Sequence, residues 1–292
     1  MFEKAYCGNI FTIVKVKQML ITYKEFCDFL TNRIQTGKDF YLSLLENVIE
    51  NPSRYCGLFR LSNAKTKLIQ NVTQSKEIKF GDIIEEITTQ YLARMGYENF
   101  EKNLGRDSNG DELHVDQYFT DGKDIYFVEM KIRDDHDSTK KRGQYSNFRK
   151  KLVLLINRHP GKHIIAIMWF VDNGLEKNKK YYLSEMRKET FFNADLRLFY
   201  GQEFFEILKN GLTVWNELIG MLKNYRFENS KTNVDIPDFG SSQQILEALT
   251  SLSPTHWKKL MSDNEQYQLL RSELFSSGNN LHEAAMARDK KR

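Results

Sequence analysis

Three ionisable side chains, Asp116, Glu129 and Lys131, lie in or beside sequence that is otherwise apolar and rich in strand-forming residues. A carboxylate on a half-buried strand is costly unless it is paired with a cation. Glu129 and Lys131 are two residues apart, so a β-strand directs both side chains to the same face. If Asp116 reaches that face, two carboxylates and one ammonium group meet there. Such a group suits a hard divalent cation and an activated water molecule.

A simpler interpretation of the same residues is a Glu–Lys ion pair on a solvated strand face, with Asp116 at a strand end. The pattern Asp…Glu-x-Lys is short, so it does not by itself distinguish an ion pair from a metal site. The elements that precede and follow these residues must decide between the two interpretations.

The three residues fall in two strand-like runs, 116–119 and 125–133, joined by a short connection that contains Gly122. Two β-rich runs around a glycine-containing turn predict a β-hairpin. Across the turn of such a hairpin, Asp116 can reach the face that Glu129 and Lys131 share.

A helix is predicted before the hairpin, over about residues 82–95. Its apolar residues recur at three- and four-residue steps, Asp82 is a suitable N-cap, and Gly96 is a suitable left-handed C-cap. Glu85 and Glu86 lie in the predicted first turn. Either acid is compatible with solvent exposure favoured by the helix dipole, or with a position close to the hairpin.

A second helix is predicted over residues 143–158, because apolar residues follow one face and Pro160-Gly161 ends the pattern. Lys150 and Lys151 are expected to lie away from that apolar face. The segment 103–112, which precedes the hairpin, is polar and contains glycine, so it is expected to be a loop.

Residues 164–171 are apolar almost without alternation, which predicts a strand in a sheet covered on both faces. Further short strands are expected at 181–183 and 196–200, followed by a helix from Gly201. The order of these elements predicts an α/β (α+β) fold, with a mixed central sheet flanked by helices.

The predicted core occupies residues 79–227 and is flanked by two helical regions. The N-terminal region covers 1–78, and the C-terminal region covers 243–292. Residues 228–242 are polar and contain proline and glycine, so they are the best candidate for a linker.

The composition is that of an ordinary globular protein, with 40% hydrophobic and 28% charged residues among 292. Three scattered cysteines without metal-ligand spacing are typical of reduced thiols in a cytoplasmic protein. The longest apolar run is too short to span a bilayer, and the N-terminal sequence does not resemble a secretory signal. We therefore expect a cytoplasmic protein with no membrane partner.

The distribution of charge is more informative than the net charge of +4. Eight Lys or Arg residues lie between positions 131 and 151, and three of them, Lys140, Lys141 and Arg142, are consecutive. A charge run is usually a solvated surface. Beside a carboxylate cluster, however, basic residues are suited to holding a phosphate backbone against a metal site.

Residues 80–222 resemble the PD-(D/E)xK nuclease superfamily and, within it, the type II restriction endonucleases. The likeness rests first on Asp116, followed after twelve residues by Glu129-Met130-Lys131. It rests also on the preceding helix, which has a glycine and a glutamate four residues apart, Gly81 and Glu85.

Two further elements match the same family. Gln144 stands near the start of the helix that follows the hairpin, and Tyr200–Phe205 is similar to the end of such a core. One position departs from the pattern, because Val115 stands where the family motif has proline.

The resemblance implies a Mg²⁺ or Mn²⁺ ion bound by oxygen ligands. The residues implied as ligands are Asp116, Glu129, the carbonyl group of Met130 and, directly or through water, Glu85. Lys131 would hold and polarise the attacking water, and Gln144 would orient that water or a nearby phosphate.

The resemblance also implies the substrate and the partners. Double-stranded DNA would be hydrolysed to leave 5′-phosphates, with Lys140, Lys141 and Arg142 contacting the backbone without reading sequence. Cleavage of both strands of a symmetric site implies a homodimer, and a restriction system implies a companion DNA methyltransferase.

Three functions fit these observations. They are a type II restriction endonuclease, a structure-selective repair or junction-resolving nuclease, and a non-catalytic DNA-binding protein. The long flanking regions favour the first, because base readout requires additional elements that enter a groove. The intact set Asp116, Glu129 and Lys131 argues against the third.

Overall fold

Helices surround a five-stranded mixed sheet in the computed structural model of the chain. The structure describes residues 19–33, 38–106, 110–132, 138–229 and 236–290. Its architecture confirms the predicted fold class, a mixed central sheet flanked by helices.

Helices occupy both ends of the described chain, and the strands lie between them in sequence. The helices are α1 (Tyr23–Arg33), α2 (Lys38–Glu50), a 3₁₀ turn (Pro52–Arg54), α3 (Ala64–Arg94), α4 (Ser138–Arg158), α5 (Lys179–Met186), α6 (Glu203–Glu206), α7 (Gly211–Glu228), α8 (Gln243–Ser251), α9 (Pro254–Leu260), α10 (Glu265–Leu274) and α11 (Asn280–Asp289). The strands are β1 (Glu98–Asn99), β2 (Asn103–Arg106), β3 (Glu112–His114), β4 (Gln117–Thr120), β5 (Ile125–Lys131), β6 (Ile164–Phe170) and β7 (Ala194–Tyr200).

The main sheet has the strand order β1-β4-β5-β6-β7. Strands β4 and β5 are antiparallel, with Gln117 opposite Val128 and Thr120 opposite Ile125, so the predicted hairpin is confirmed. Strands β5, β6 and β7 run parallel. Every residue of β6 is buried, as expected for a strand covered on both faces.

Helix α3 is continuous over 31 residues and begins far earlier than predicted. Its N-cap is Asn63, whose side chain accepts a hydrogen bond from the Thr66 N–H group. The predicted N-cap at Asp82 is wrong, because Gly81 weakens a helix by only about 1 kcal/mol and does not end it. The left-handed C-cap at Gly96 is confirmed, with φ +91.

The two faces of the main sheet have separate apolar cores. On one face the sheet packs against α1, α7 and the C-terminal half of α3, with Ile87, Trp169 and Leu218 fully buried. On the other face it packs against α4 and α5, with Phe127 and Phe148 stacked 5.1 Å apart between ring centroids. The sheet is therefore held rigidly from both sides.

A third core belongs to helices from both ends of the chain. It combines α2, the 3₁₀ turn and the N-terminal half of α3 with α8 to α11; we call this set the helical module. Leu45 and Leu68 from the first part pack with Ile245 and Leu270 from the second. The predicted boundary at residue 78 lies inside α3, which joins the helical module to the sheet.

Several local predictions are wrong. Residues 181–183 lie in α5 and not in a strand, because Tyr182 and Met186 bury one face at helical spacing. The segment 103–112 contains β2 and the first residue of β3, and these two strands pair as a small second sheet. Helix α4 begins at Ser138, five residues before its predicted start.

Helices α8 to α11 lie in the predicted helical C-terminal region, 243–292. The end of the predicted second hairpin strand, residue 133, lies outside the described residues, as do positions 230–235 of the predicted linker. None of the helices in the described ranges is long and apolar enough to cross a membrane.

Candidate active site

The hairpin brings Asp116, Glu129 and Lys131 together. Asp116 stands just before β4, and its Oδ2 accepts a hydrogen bond of 2.6 Å from the Met130 N–H group. The Lys131 Nζ atom lies 3.8 Å from Asp116 Oδ2 and 3.6 Å from Glu129 Oε2. It also donates a hydrogen bond of 2.9 Å to the Met130 carbonyl oxygen. One ammonium group is therefore shared by two carboxylates and one main-chain carbonyl.

Glu129 is the most buried of these groups, with 6% of its surface exposed. Burial raises the pKa of its carboxyl group, and the neighbouring Asp116 adds to this effect. Two ammonium groups act in the opposite direction: that of Lys131, and that of Lys151 at 2.5 Å from Glu129 Oε1. The carboxylate is thus compensated from two sides.

The position of Lys151 corrects the sequence prediction that it lies away from the apolar face of its helix. It is 5% exposed and faces the sheet. The signal was present in the sequence, because Lys151 is three residues after Phe148 and four before Leu155, both buried. A lysine within an apolar helical stripe indicates a buried partner, in this case Glu129.

Glu85 extends from α3 towards the hairpin. Its Oε1 atom is 2.7 Å from Lys102 Nζ, and partial burial raises its pKa, which the Lys102 contact opposes. The adjacent Glu86 instead accepts a hydrogen bond of 3.2 Å from the Gln90 amide. Of the two acids in question, Glu85 is the one that lines a cleft together with Asp116.

This cleft, the active-site cleft, has a volume of about 260 Å³. Its walls come from α3, the hairpin and α4, and the lining residues include Gly81, Asp82, Glu85, Asp116, Met130, Lys131 and Gln144. Five of the predicted site residues therefore share one cavity: Glu85, Asp116, Met130, Lys131 and Gln144. Glu129 lies beneath its floor, in contact with Lys131.

Gln117 was not identified from the sequence, although it ties the hairpin to α3. It is 1% exposed. Its amide nitrogen donates a hydrogen bond of 2.7 Å to the Glu85 carbonyl oxygen, and its amide oxygen accepts one of 2.8 Å from the Thr89 hydroxyl. A buried amide next to Asp116 in a strand was the available signal. Its effect is to fix the position of Glu85.

The remaining predicted residues lie on α4. The Gln144 amide oxygen accepts a hydrogen bond of 3.2 Å from the Tyr182 hydroxyl at the edge of the cleft. Lys140 and Arg142 are exposed and lie four and two residues before Gln144, and Lys141 Nζ lies 4.8 Å from the centre of the Tyr181 ring. The basic residues are thus next to the cleft and do not line it.

The donor atoms suit a hard divalent cation. In the described part of the chain, no three His, Cys, Asp or Glu side chains are grouped closely enough to hold a metal ion. A cation at this site would therefore need the Met130 carbonyl oxygen and water as well as Asp116 and Glu129. That is how Mg²⁺ is commonly bound, by one or two carboxylates with retained waters.

The family model described as "Type II restriction endonuclease, HinfI" matches residues 22–106 and 97–226. Together the two matches cover well over half of the chain. The chain belongs to this family. A search of curated proteins finds no match.

The family match confirms the predicted enzyme class: the HinfI-family protein is a type II site-specific deoxyribonuclease. It acts on double-stranded DNA, which it cleaves in a sequence-specific manner as part of a restriction system. The match includes the active-site cleft and also α2 and the 3₁₀ turn of the helical module.

Proposed function

We propose that this endonuclease hydrolyses DNA phosphodiester bonds at the active-site cleft with Mg²⁺ as cofactor, leaving 5′-phosphates. The observation that carries the proposal is the position of Lys131 Nζ, within 4 Å of both Asp116 and Glu129 at the edge of an open cleft. The carboxylates of Asp116 and Glu129 supply oxygen atoms that can bind a cation, and the ammonium group of Lys131 lies beside them as a hydrogen-bond donor.

Asp116, Glu129 and the carbonyl group of Met130 are the residues that would bind the ion, and Glu85 would reach it through water. Mn²⁺ suits the same oxygen ligands. When bound, a divalent cation polarises a phosphoryl oxygen and lowers the pKa of a coordinated water molecule. The short hydrogen bond between Asp116 and the Met130 N–H group keeps these oxygens on the same side of the hairpin.

Lys131 has the role of holding the attacking water and stabilising charge that develops on the phosphoryl oxygens. Its ammonium group carries three donors, of which one is used by the Met130 carbonyl oxygen. Gln144, whose amide oxygen accepts a hydrogen bond from Tyr182, has the proposed role of orienting that water or a neighbouring phosphate. Lys151 does not reach the cleft, and acts by fixing Glu129.

Lys140, Lys141 and Arg142 are proposed to contact the phosphate backbone beside the cleft, where contacts position DNA without reading its sequence. A homodimer and a companion methyltransferase complete the proposal. Two identical active sites related by a two-fold axis would cut both strands of a symmetric sequence.

Digestion of phage DNA tests the proposed chemistry. We expect discrete fragments with Mg²⁺, none with EDTA, and ends that a ligase rejoins without prior treatment by a kinase. Cleavage confined to branched DNA would favour a junction-resolving nuclease, and binding without cleavage would favour a non-catalytic protein.

Substitutions at the site test the residue assignment. Glu129→Ala and Lys131→Ala are each expected to lower cleavage by on the order of 1,000-fold or more while DNA binding persists. Glu85→Ala should cleave DNA more slowly than Glu86→Ala, which changes the neighbouring glutamate outside the cleft. Lys123→Ala, in the hairpin turn and 87% exposed, serves as the control for Lys131. Near-normal cleavage by either of the first two variants contradicts the assignment.

A further inference from the structure

A second cleft adjoins the active-site cleft along α3. It has a volume of about 650 Å³ and is lined by α2, the 3₁₀ turn and the N-terminal half of α3; we call it the α2–α3 cleft. Ile78 and Asp82 line both clefts. The two cavities therefore adjoin along a single helix and together outline a path over its surface.

One face of α3 is presented to this path. Seven α3 residues line the α2–α3 cleft, and they recur at three- and four-residue steps, so they share a face: Asn71, the buried Val72, Gln74, Ser75, Ile78, Lys79 and Asp82. Glu85, three residues after Asp82, continues the same face into the active-site cleft. Substrate held against Glu85 along this path meets the polar side chains of the helical module.

The chemistry of this face suits base edges. Among the described residues, the amides of Asn71 and Gln74 and the guanidinium group of Arg54 have no hydrogen-bond or ion-pair partner. Asparagine and glutamine amides form paired hydrogen bonds with adenine in the major groove, and arginine does so with guanine. Ile78, which is 50% exposed, offers an apolar contact of the kind that a thymine methyl group makes.

The spacing matches one DNA substrate. Gln74 precedes Glu85 by eleven residues, which corresponds to roughly 16 Å along an α-helix. The rise of a DNA strand is about 3.4 Å per base pair, so this distance spans about five base pairs. A duplex cut beside Glu85 therefore extends past Gln74 within the length of a short recognition sequence.

We propose that the α2–α3 cleft receives double-stranded DNA, and that Gln74, Asn71 and Arg54 read base edges of the recognition sequence. The occupant is the duplex that is cut, because the two clefts adjoin along α3 and share Ile78 and Asp82. This inference rests on the proposed function in one respect, that cleavage occurs beside Glu85. It assigns sequence reading to the helical module, outside the sheet.

Gln74→Ala and Gln70→Ala form a matched pair for the test. Gln70 lies one turn earlier on α3, is exposed, and lines neither cleft. Each variant cuts phage DNA, and the ends are sequenced. We expect Gln74→Ala to cut the cognate site on the order of 10- to 100-fold more slowly and to relax the preference at one base position. Gln70→Ala should match the parent in rate and sequence. Asn71→Ala and Arg54→Ala should relax other positions.

A binding selection separates this inference from the catalytic proposal. The same substitutions are placed in a Lys131→Ala chain, which keeps the buried Glu129–Lys151 pair, and bound duplexes are recovered from a randomised pool without any need for cleavage. A changed base preference for Gln74→Ala supports the inference whatever the outcome of the cleavage assays. An unchanged selected sequence for all three cleft variants overturns it. Equal weakening on every sequence, with a smaller salt dependence, also overturns it, because it indicates backbone contacts.

Discussion

Glu129 and Lys151 form a buried ion pair whose two side chains come from β5 and α4. Loss of one partner leaves an uncompensated charge, which costs roughly 3–5 kcal/mol. We expect Lys151→Met to lower the free energy of unfolding by about 3 kcal/mol at neutral pH and to slow cleavage through displacement of Glu129. Urea denaturation monitored by circular dichroism measures the first effect.

The neighbouring Lys150 supplies the control for this prediction. It is exposed, so Lys150→Met should change the free energy of unfolding by no more than about 0.5 kcal/mol. Adding Glu129→Gln to Lys151→Met removes the unpaired charge and should recover stability without recovering cleavage. Equal stability of the two lysine variants contradicts the assigned role of Lys151.

Residues of the site differ in how far the sequence reveals them. Asp116, Glu129 and Lys131 are recognisable because strand alternation fixes which side chains share a face. Lys151 and Gln117 contact their partners only after α4 and α3 pack on the sheet, and local sequence does not specify that packing. The choice between Glu85 and Glu86 likewise depended on the rotation of α3 against the hairpin.

Gly81 lies in the middle of α3, where its hydrogen atom faces the active-site cleft. A methyl group at this position would meet only Ile132 Cδ1, at 3.9 Å. Gly81→Ala is therefore expected to stabilise the protein by about 0.5–1 kcal/mol through helix propensity, and to slow cleavage because the methyl group occupies space beside the substrate. Thermal unfolding and cleavage rate are measured together.

Gly220, in α7, is the matched control, since a Cβ atom there meets nothing within 4 Å. Gly220→Ala should give a similar gain in stability with unchanged cleavage. If Gly81→Ala also leaves cleavage unchanged, the expectation that substrate lies close to this turn of α3 is wrong.

Strand β6 was predicted correctly because its apolar pattern is strong over its whole length. Tyr181-Tyr182-Leu183 was predicted as a strand because aromatic residues favour strands, and the packing of Tyr182 and Met186 overrode that preference. The true start of α3 was missed because Phe80-Gly81 interrupts an otherwise periodic pattern.

The helical module connects the two ends of the chain, and this has a consequence for truncation. A chain that ends at Asn229 lacks α8 to α11 and exposes Leu45, Leu68 and Val72 on α2 and α3. Large exposed apolar patches promote association. We expect this chain to aggregate and to lose specific cleavage, as measured by size-exclusion chromatography with light scattering.

A chain that ends at Asp289 keeps α11 and should behave as the 292-residue chain does. A monodisperse, active chain ending at Asn229 would show that the C-terminal helices are dispensable.

The proposed homodimer is tested at the same scale. One chain has a mass of 34.5 kDa, so light scattering of the protein alone should give about twice that value. If the protein mass measured by light scattering is that of one chain both with and without cognate DNA, the dimer is contradicted.

Helix α3 carries both Gln74 and Glu85 without interruption, so it holds the two side chains at a fixed distance and a fixed rotation about its axis. Each residue advances an α-helix by about 1.5 Å and turns it by about 100°. On the proposed assignment, the number of residues between Gln74 and Glu85 sets the distance along the DNA between the recognised bases and the bond that is cut. One inserted residue would turn the amides out of phase with Glu85. Four would nearly restore the phase and move the cut by about two base pairs.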